Sequence, residues 1–175
     1  MIKNSLTMVL VMLVLSACSN TNEPTRTQED ENKEIVLTFL NAMWNMEDLD
    51  ALDQLLDPTY IDYAPSTNFK GKAYTPESMR EGRKMFAQMM PDLRFEIDEV
   101  IAEGNDVVLF ATGKFTHTNP TFTRLGMAAP TNKEIAYKTV FKYTVDNGKI
   151  VKGFDMHDMY NRSIQMGMIE PPSTN

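Results

Sequence analysis

The residues with most chemistry to offer sit together near the C-terminus, in Phe154-Asp155-Met156-His157-Asp158. Two carboxylates and an imidazole are costly to place among apolar neighbours unless they are partnered or used. Asn147-Gly148 just upstream separates two alternating runs, the strongest short-range signal for a β-hairpin, so the segment that follows is expected to be a strand. On a strand, Phe154, Met156 and Asp158 share one face while Asp155 and His157 share the other. A carboxylate beside Phe and Met resists ionising, which makes Asp158 the leading candidate for a group that accepts a proton and returns it. Such a group would remove a proton alpha to a carbonyl and then protonate the resulting alkoxide, with Tyr63, Tyr143 or His117 donating to the oxygen. Asp158 equally suits capping a helical turn over Asn161 to Gly167, and the two roles are compatible. Asp155 and His157 would supply at most two metal ligands and read as a solvated outer face, so no metal is expected. His117, between Thr116 and Thr118, reads either as a donor in the site or as a half-exposed, hydrogen-bonded histidine.

These residues need a scaffold, and the apolar spacing outlines one. From about Lys33, the series Ile35, Val36, Phe39, Leu40, Met43 and Trp44 forms one stripe at helical spacing. Leu49 to Leu56 reads as a shorter helical segment limited by Pro58, and Tyr60-Ile61-Asp62-Tyr63 as a brief strand. Thr75-Pro76-Glu77 is a helix start: a cap, a proline in the first turn and an acid at the positive end of the dipole. Met79, Phe86, Met89 and Met90 give that helix its inner face, and Pro91 stops it. The period then changes to that of strands: Leu93 to Ala102, Val107 to about Thr118, Ile135 to Val145, and the final strand after Asn147-Gly148. Residues 118–133 read as a long connection. Helices first and antiparallel strands afterwards make an α+β domain with helices on one face of a curved sheet. Trp44, Tyr60, Phe86, Tyr137, Phe141, Tyr143, Phe154 and Met156 are the expected lining of a pocket, with plain core packing the alternative reading for the aromatic residues of the third strand. Met43, Met79, Met89, Met90 and Met156 suit an adaptable core or a permissive pocket wall.

The chain has 175 residues, 42% of them hydrophobic, and carries a formal charge of −7. That is one domain with extensions, and the negative charge argues against a nucleic-acid-binding surface. Residues 1–17 read as a signal segment: Lys3, then an apolar run from Leu6 to Leu15 that is short for a transmembrane helix. Leu15-Ser16-Ala17-Cys18 resembles a bacterial lipobox, and the chain's single cysteine falls at its acylation position. Cys18 is therefore expected to be lipidated, with 18–32 a flexible tether, 33–169 the domain and 170–175 a loose tail. Ser19 in place of Asp implies outer-membrane sorting, facing the periplasm, in a Gram-negative host.

Several segments together resemble the SnoaL-like polyketide cyclase or ester cyclase family of the NTF2-like superfamily. They are Trp44-Asn45 with Leu49-Asp50-Ala51-Leu52, Tyr60 to Pro65, Met90 to Arg94, Glu103 to Val108, Thr116-His117-Thr118, Asp146 to Val151, Asp155 with Asp158, and Gln165-Met166-Gly167. The resemblance implies an NTF2-like (cystatin-like) cone-shaped barrel with an internal apolar pocket, often homodimeric. It also implies an aldol-type ring closure with no cofactor, in which an aspartate of the last strand is the acid/base. Asp158 is the matching position and Asp155 the neighbouring alternative. The chain departs from the family pattern at Phe154, where Trp is usual, at Tyr63, where His is common, and at Asn119, where Gly is frequent. Two functions follow as expectations: a cofactor-free acid/base enzyme of the cyclase or isomerase kind, or a lipid-anchored module that binds an apolar metabolite without turning it over. A protein-interaction domain with a filled interior is the third.

Overall fold

The computed structural model describes residues 26–45 and 48–171. The signal segment and Cys18 lie outside the described residues. The first helix, α1, runs Gln28–Leu40. It begins at Gln28 rather than Lys33 because Thr27 closes a capping box with Asp30, and three acids occupy the first turn. Asn32, expected in the tether, is instead buried and donates to the Gly104 carbonyl at 2.9 Å. A π turn, Asn41–Asn45, follows and carries Trp44. A 3-10 turn at Leu49–Ala51 leads into the short helix α2, Leu52–Leu55.

The chain then enters strand β1, Leu56–Asp62. Pro58, expected to stop a helix, lies within β1, in the stretch where its pairing with the last strand is irregular, so its missing N–H interrupts no regular ladder there. After edge strand β2, Lys72–Ala73, helix α3 spans Pro76–Met89, with Thr75 capping Ser78 N at 3.2 Å as its start signal requires. The long strands are β3, Arg94–Glu103, and β4, Asp106–Thr116. A small hairpin follows, β5 at Thr121–Thr123 and β6 at Gly126–Ala128. Then come β7, Glu134–Asp146, and β8, Lys149–His157, and helix α4, Met159–Gln165, closes the fold.

The main sheet has the order β2-β1-β8-β7-β4-β3. It is antiparallel throughout except that β1 runs parallel to β8. Among the described residues β2 and β3 remain edges, so the sheet is an open, curved half-barrel and not a closed cone. Helix α1 packs its buried face, Val36, Phe39 and Leu40, against the sheet, where the Phe39 ring meets Tyr143 edge-on at 5.2 Å. Full burial of a side chain of this kind contributes roughly 1.5–3 kcal/mol. β4 and β7 alternate strictly, burying Val107, Leu109, Ala111 and Phe115 from one and Ile135, Tyr137, Thr139, Phe141, Tyr143 and Val145 from the other. That shared face is the concave wall on which the candidate site lies.

Candidate functional site

The faces of β8 are set by one extra residue. At the hairpin Val145 pairs with Ile150, and both are buried. The next recorded pair is Thr144 with Lys152, so Val151 is a β-bulge. A one-residue slip exchanges the two faces of everything beyond it. Consequently Gly153, Asp155 and His157 stand opposite Tyr143, Phe141 and Thr139 on the concave face. Phe154 and Met156, expected in the pocket, pair with Lys142 and Val140 on the outer face. There Phe154 stacks on Phe69 at 6.3 Å and Met156 is 49% exposed. The face read as solvated is thus the inner one.

On the inner face His157 Nε2 lies 2.7 Å from Asp155 Oδ2. On the other side of the ring, Nδ1 is 2.6 Å from Thr139 Oγ1, and that hydroxyl donates to the Met156 carbonyl at 3.1 Å. With its proton committed, Thr139 is left to accept from Nδ1–H, which aims Nε2 at the Asp155 carboxylate. The imidazole is walled by Phe95, stacked at 6.3 Å, and by Tyr137 and Phe141, edge-on at 5.8 and 5.9 Å. Both members of the pair remain partly open, with side chains 22% and 27% exposed.

Oxygen groups surround Asp155. Asp62 on β1 is held above the usual carboxylate range, first by burial and then by the Asp155 charge, against a backbone hydrogen bond from Ala64 that lowers it. Burial raises the phenols of Tyr60, Tyr137 and Tyr143, and Asp155 adds to each; Tyr137 is pushed up to about 12. These phenols therefore stay neutral and keep their protons to donate. Tyr60 lies directly across Gly153, and Tyr137 across Gly113, where a Cβ would come 2.6 Å from the ring.

Other candidates lie apart from this cluster. Asp158 is the N-cap of α4: one oxygen accepts from Asn161 N at 3.0 Å, and the hydrogen bonds from Asn161 hold its carboxyl below the usual range. The capping role read from the sequence is present. A raised carboxylate facing Phe and Met is not, because β8 ends one residue earlier and the bulge turns Phe154 and Met156 outward. His117 is fully buried, not half-exposed, with Nδ1 3.2 Å from Thr131 Oγ1. Tyr63 follows β1, donates its backbone N–H to Gly153 at 2.8 Å, and lays its ring against Gly71. Trp44 packs on Phe86 at 5.9 Å and Phe95 at 5.4 Å, so these aromatic residues form the wall behind His157. Sequence reading missed Asp62, Thr139 and Phe95; the alternation of β7 and the hydrogen-bonding capacity of Thr139 were the available signals. No cluster of three His, Cys, Asp or Glu suited to a metal occurs among the described residues.

Helices packed on one side of an open α+β sheet, with titratable groups on the concave wall, define the class of domain. The chain belongs to the SnoaL-like polyketide cyclase family, whose family model matches residues 34–166. Among solved structures it is similar to a candidate polyketide cyclase from Acidithiobacillus ferrooxidans, with 21% identity, 81% of this chain and 97% of that one covered, and a TM-score of 0.69. It is likewise similar to AclR, a candidate hydroxylase from Streptomyces galilaeus, with 21% identity, coverage of 83% and 86%, and a TM-score of 0.66. IdmH, a candidate polyketide cyclase from Streptomyces antibioticus, matches at 18% identity, 78% and 98% coverage, and a TM-score of 0.66. Identities this low speak for the fold alone. No curated protein matches the sequence.

Proposed function

We propose that this domain is a small-molecule acid/base enzyme of the cyclase or isomerase kind, and that Asp155 with His157 is its proton-transfer pair. The observation that carries the reading is the 2.7 Å Nε2–Oδ2 contact on the concave face, walled by aromatic rings and still partly open. Asp155 removes a proton alpha to a substrate carbonyl while His157 shares the charge. A neutral phenol of Tyr60, Tyr137 or Tyr143 donates to the enolate oxygen that forms. The enolate carbon attacks a second carbonyl, and the pair returns the proton to the new alkoxide. Atoms balance within one molecule, so no cofactor is consumed. The outer-face residues Phe154 and Met156 take no part. The domain is further proposed to be exported and held at a membrane by lipidated Cys18, working as a homodimer on an apolar substrate. Among the described residues no helix is long and apolar enough to cross a membrane.

The ring opening of 5-nitrobenzisoxazole, which needs only a base in an apolar site, tests the pair. Asp155→Asn is expected to lower the catalysed rate about 100-fold, the low end of general-base contributions. Asp158→Asn, which keeps a good N-cap, is expected to leave it intact. Loss in Asp158→Asn with none in Asp155→Asn would move the role to Asp158. Turnover equal in both variants and the parent would leave the binding-module reading ahead.

A further inference from the structure

Among the described residues, Arg162 of α4 is a buried cation without an anion. Its residue is 7% exposed, and its guanidinium lies 5.4 Å from the Phe115 ring centre and 5.2 Å from that of Tyr137. The hydrogen bonds it makes go to thioethers, Nη2 to Met90 Sδ at 3.4 Å and Nη1 to Met159 Sδ at 3.9 Å, and sulfur of this kind is a weak acceptor. Nε has no partner among the described residues. His117, fully buried and edge-on to the same Phe115 ring at 6.2 Å, likewise has an Nε2 with no partner among the described residues. Burial, and then the Arg162 charge, hold His117 below its ordinary pKa, so it is neutral and Nε2 can carry a proton to donate.

Cation–π contacts do not offset the desolvation of a guanidinium, which is retained in an interior when something compensates its charge. Met159, one of its thioether partners, also borders an open depression. A 230 Å³ depression is walled by Thr123, Arg124 and Leu125 of the small hairpin and by Met159, Tyr160 and Ser163 of α4. Met159, which accepts from Arg162, is thus part of that wall. Tyr137 connects the arginine to the proton-transfer pair, since its ring touches both the guanidinium and, at 5.8 Å, the His157 imidazole.

We infer that Arg162, with the free N–H of His117, anchors a carboxylate on the molecule that Asp155 and His157 act upon. The substrate class is then an apolar acid, not a neutral ester or ketone. The inference rests on the acid/base reading of the site, and it adds the charge that the substrate carries.

The probes are 2-naphthoate and methyl 2-naphthoate, an acid and its ester on one ring system, titrated calorimetrically into the purified full chain. The parent is expected to bind the acid at least tenfold more tightly than the ester. Arg162→Met, which suits the thioether and aromatic surroundings, should erase that preference, leave ester affinity unchanged and raise the melting temperature by a few degrees. Arg162→Lys, which keeps the charge, should retain a preference. Equal affinity for acid and ester in the parent, or a preference that survives Arg162→Met, overturns the inference and leaves the acid/base reading standing. A fall in melting temperature with the preference unchanged would make Arg162 a structural cation–π anchor and overturn it as well. If Asp155→Asn abolishes turnover but keeps the acid preference, both readings are supported; if Asp155→Asn keeps turnover while Arg162→Met loses the preference, the anion site stands and the acid/base assignment falls.

Discussion

Gly153 lacks a side chain where Tyr60 needs the space. A Cβ at that position would overlap the Tyr60 hydroxyl and come 2.8 Å from Cζ of a ring only 1% exposed. The tyrosine cannot swing into solvent, so Gly153→Ala is expected to cost about 1–3 kcal/mol as an overpacked core. Tyr60→Phe in the same chain removes the clashing oxygen, and the pair should recover part of the loss, measurable by thermal melting as a double-mutant cycle. The glycine acts on the site as well as on stability, because it sets how closely the Tyr60 phenol approaches the strand that carries Asp155. At this scale the sequence disclosed which residue types would do chemistry but not the sides they occupy. Asp155, His157 and the tyrosines were visible as candidates. Phe154 and Met156 looked like the better neighbours for a carboxylate, since apolar residues usually face inward, and nothing local to Val151 announces that it is an extra residue.

Helix α4 replaces a missing partner strand. β8 stops opposite Thr139, which leaves the start of β7 without a neighbour on that side. The gap is filled by Asp158 N donating to the Lys138 carbonyl at 2.8 Å, and by Gln165, whose amide both accepts from Ala136 N at 3.0 Å and donates to Ala136 O at 2.7 Å. Asp158 therefore holds down the helix that brings Arg162, Ser163 and Met166 into the interior. Replacing it with Ala removes the cap and should cost about 1 kcal/mol at neutral pH. Its carboxyl is lowered in the folded state, so its contribution is full above its ordinary value of 3.8 and fades as pH falls through the folded value. Chemical denaturation of both proteins at pH 7 and at pH 3 should show the gap between them shrinking. The start of α3 was legible because Thr75 and Pro76 act locally. The β5–β6 hairpin was not, since its three-residue strands are too short to show a period.

For the whole molecule, α1 to α3 and the long strands β3, β4, β7 and β8 were legible from hydrophobic spacing, whereas the parallel β1–β8 pairing joins segments far apart in sequence and left no such trace. An open sheet with two edge strands replaced the expected closed cone for the same reason: closure depends on which ends meet. The proposed membrane anchor lies in residues ahead of the fold. If Cys18 is acylated, cells expressing the full chain should place it in the detergent phase of a Triton X-114 extraction, and Cys18→Ser should move it to the aqueous phase. The bulge at Val151 makes the pairing register of β8 decisive for what the concave wall carries. Were Val151 paired regularly with Thr144, the strand would present Phe154 and Met156 inward and turn Asp155 and His157 to water, whereas deleting Val151 would keep Lys152 opposite Thr144 and both groups inside. A slip of one residue in pairing, with no change of sequence, thus separates a purely apolar wall from one that carries a carboxylate and an imidazole.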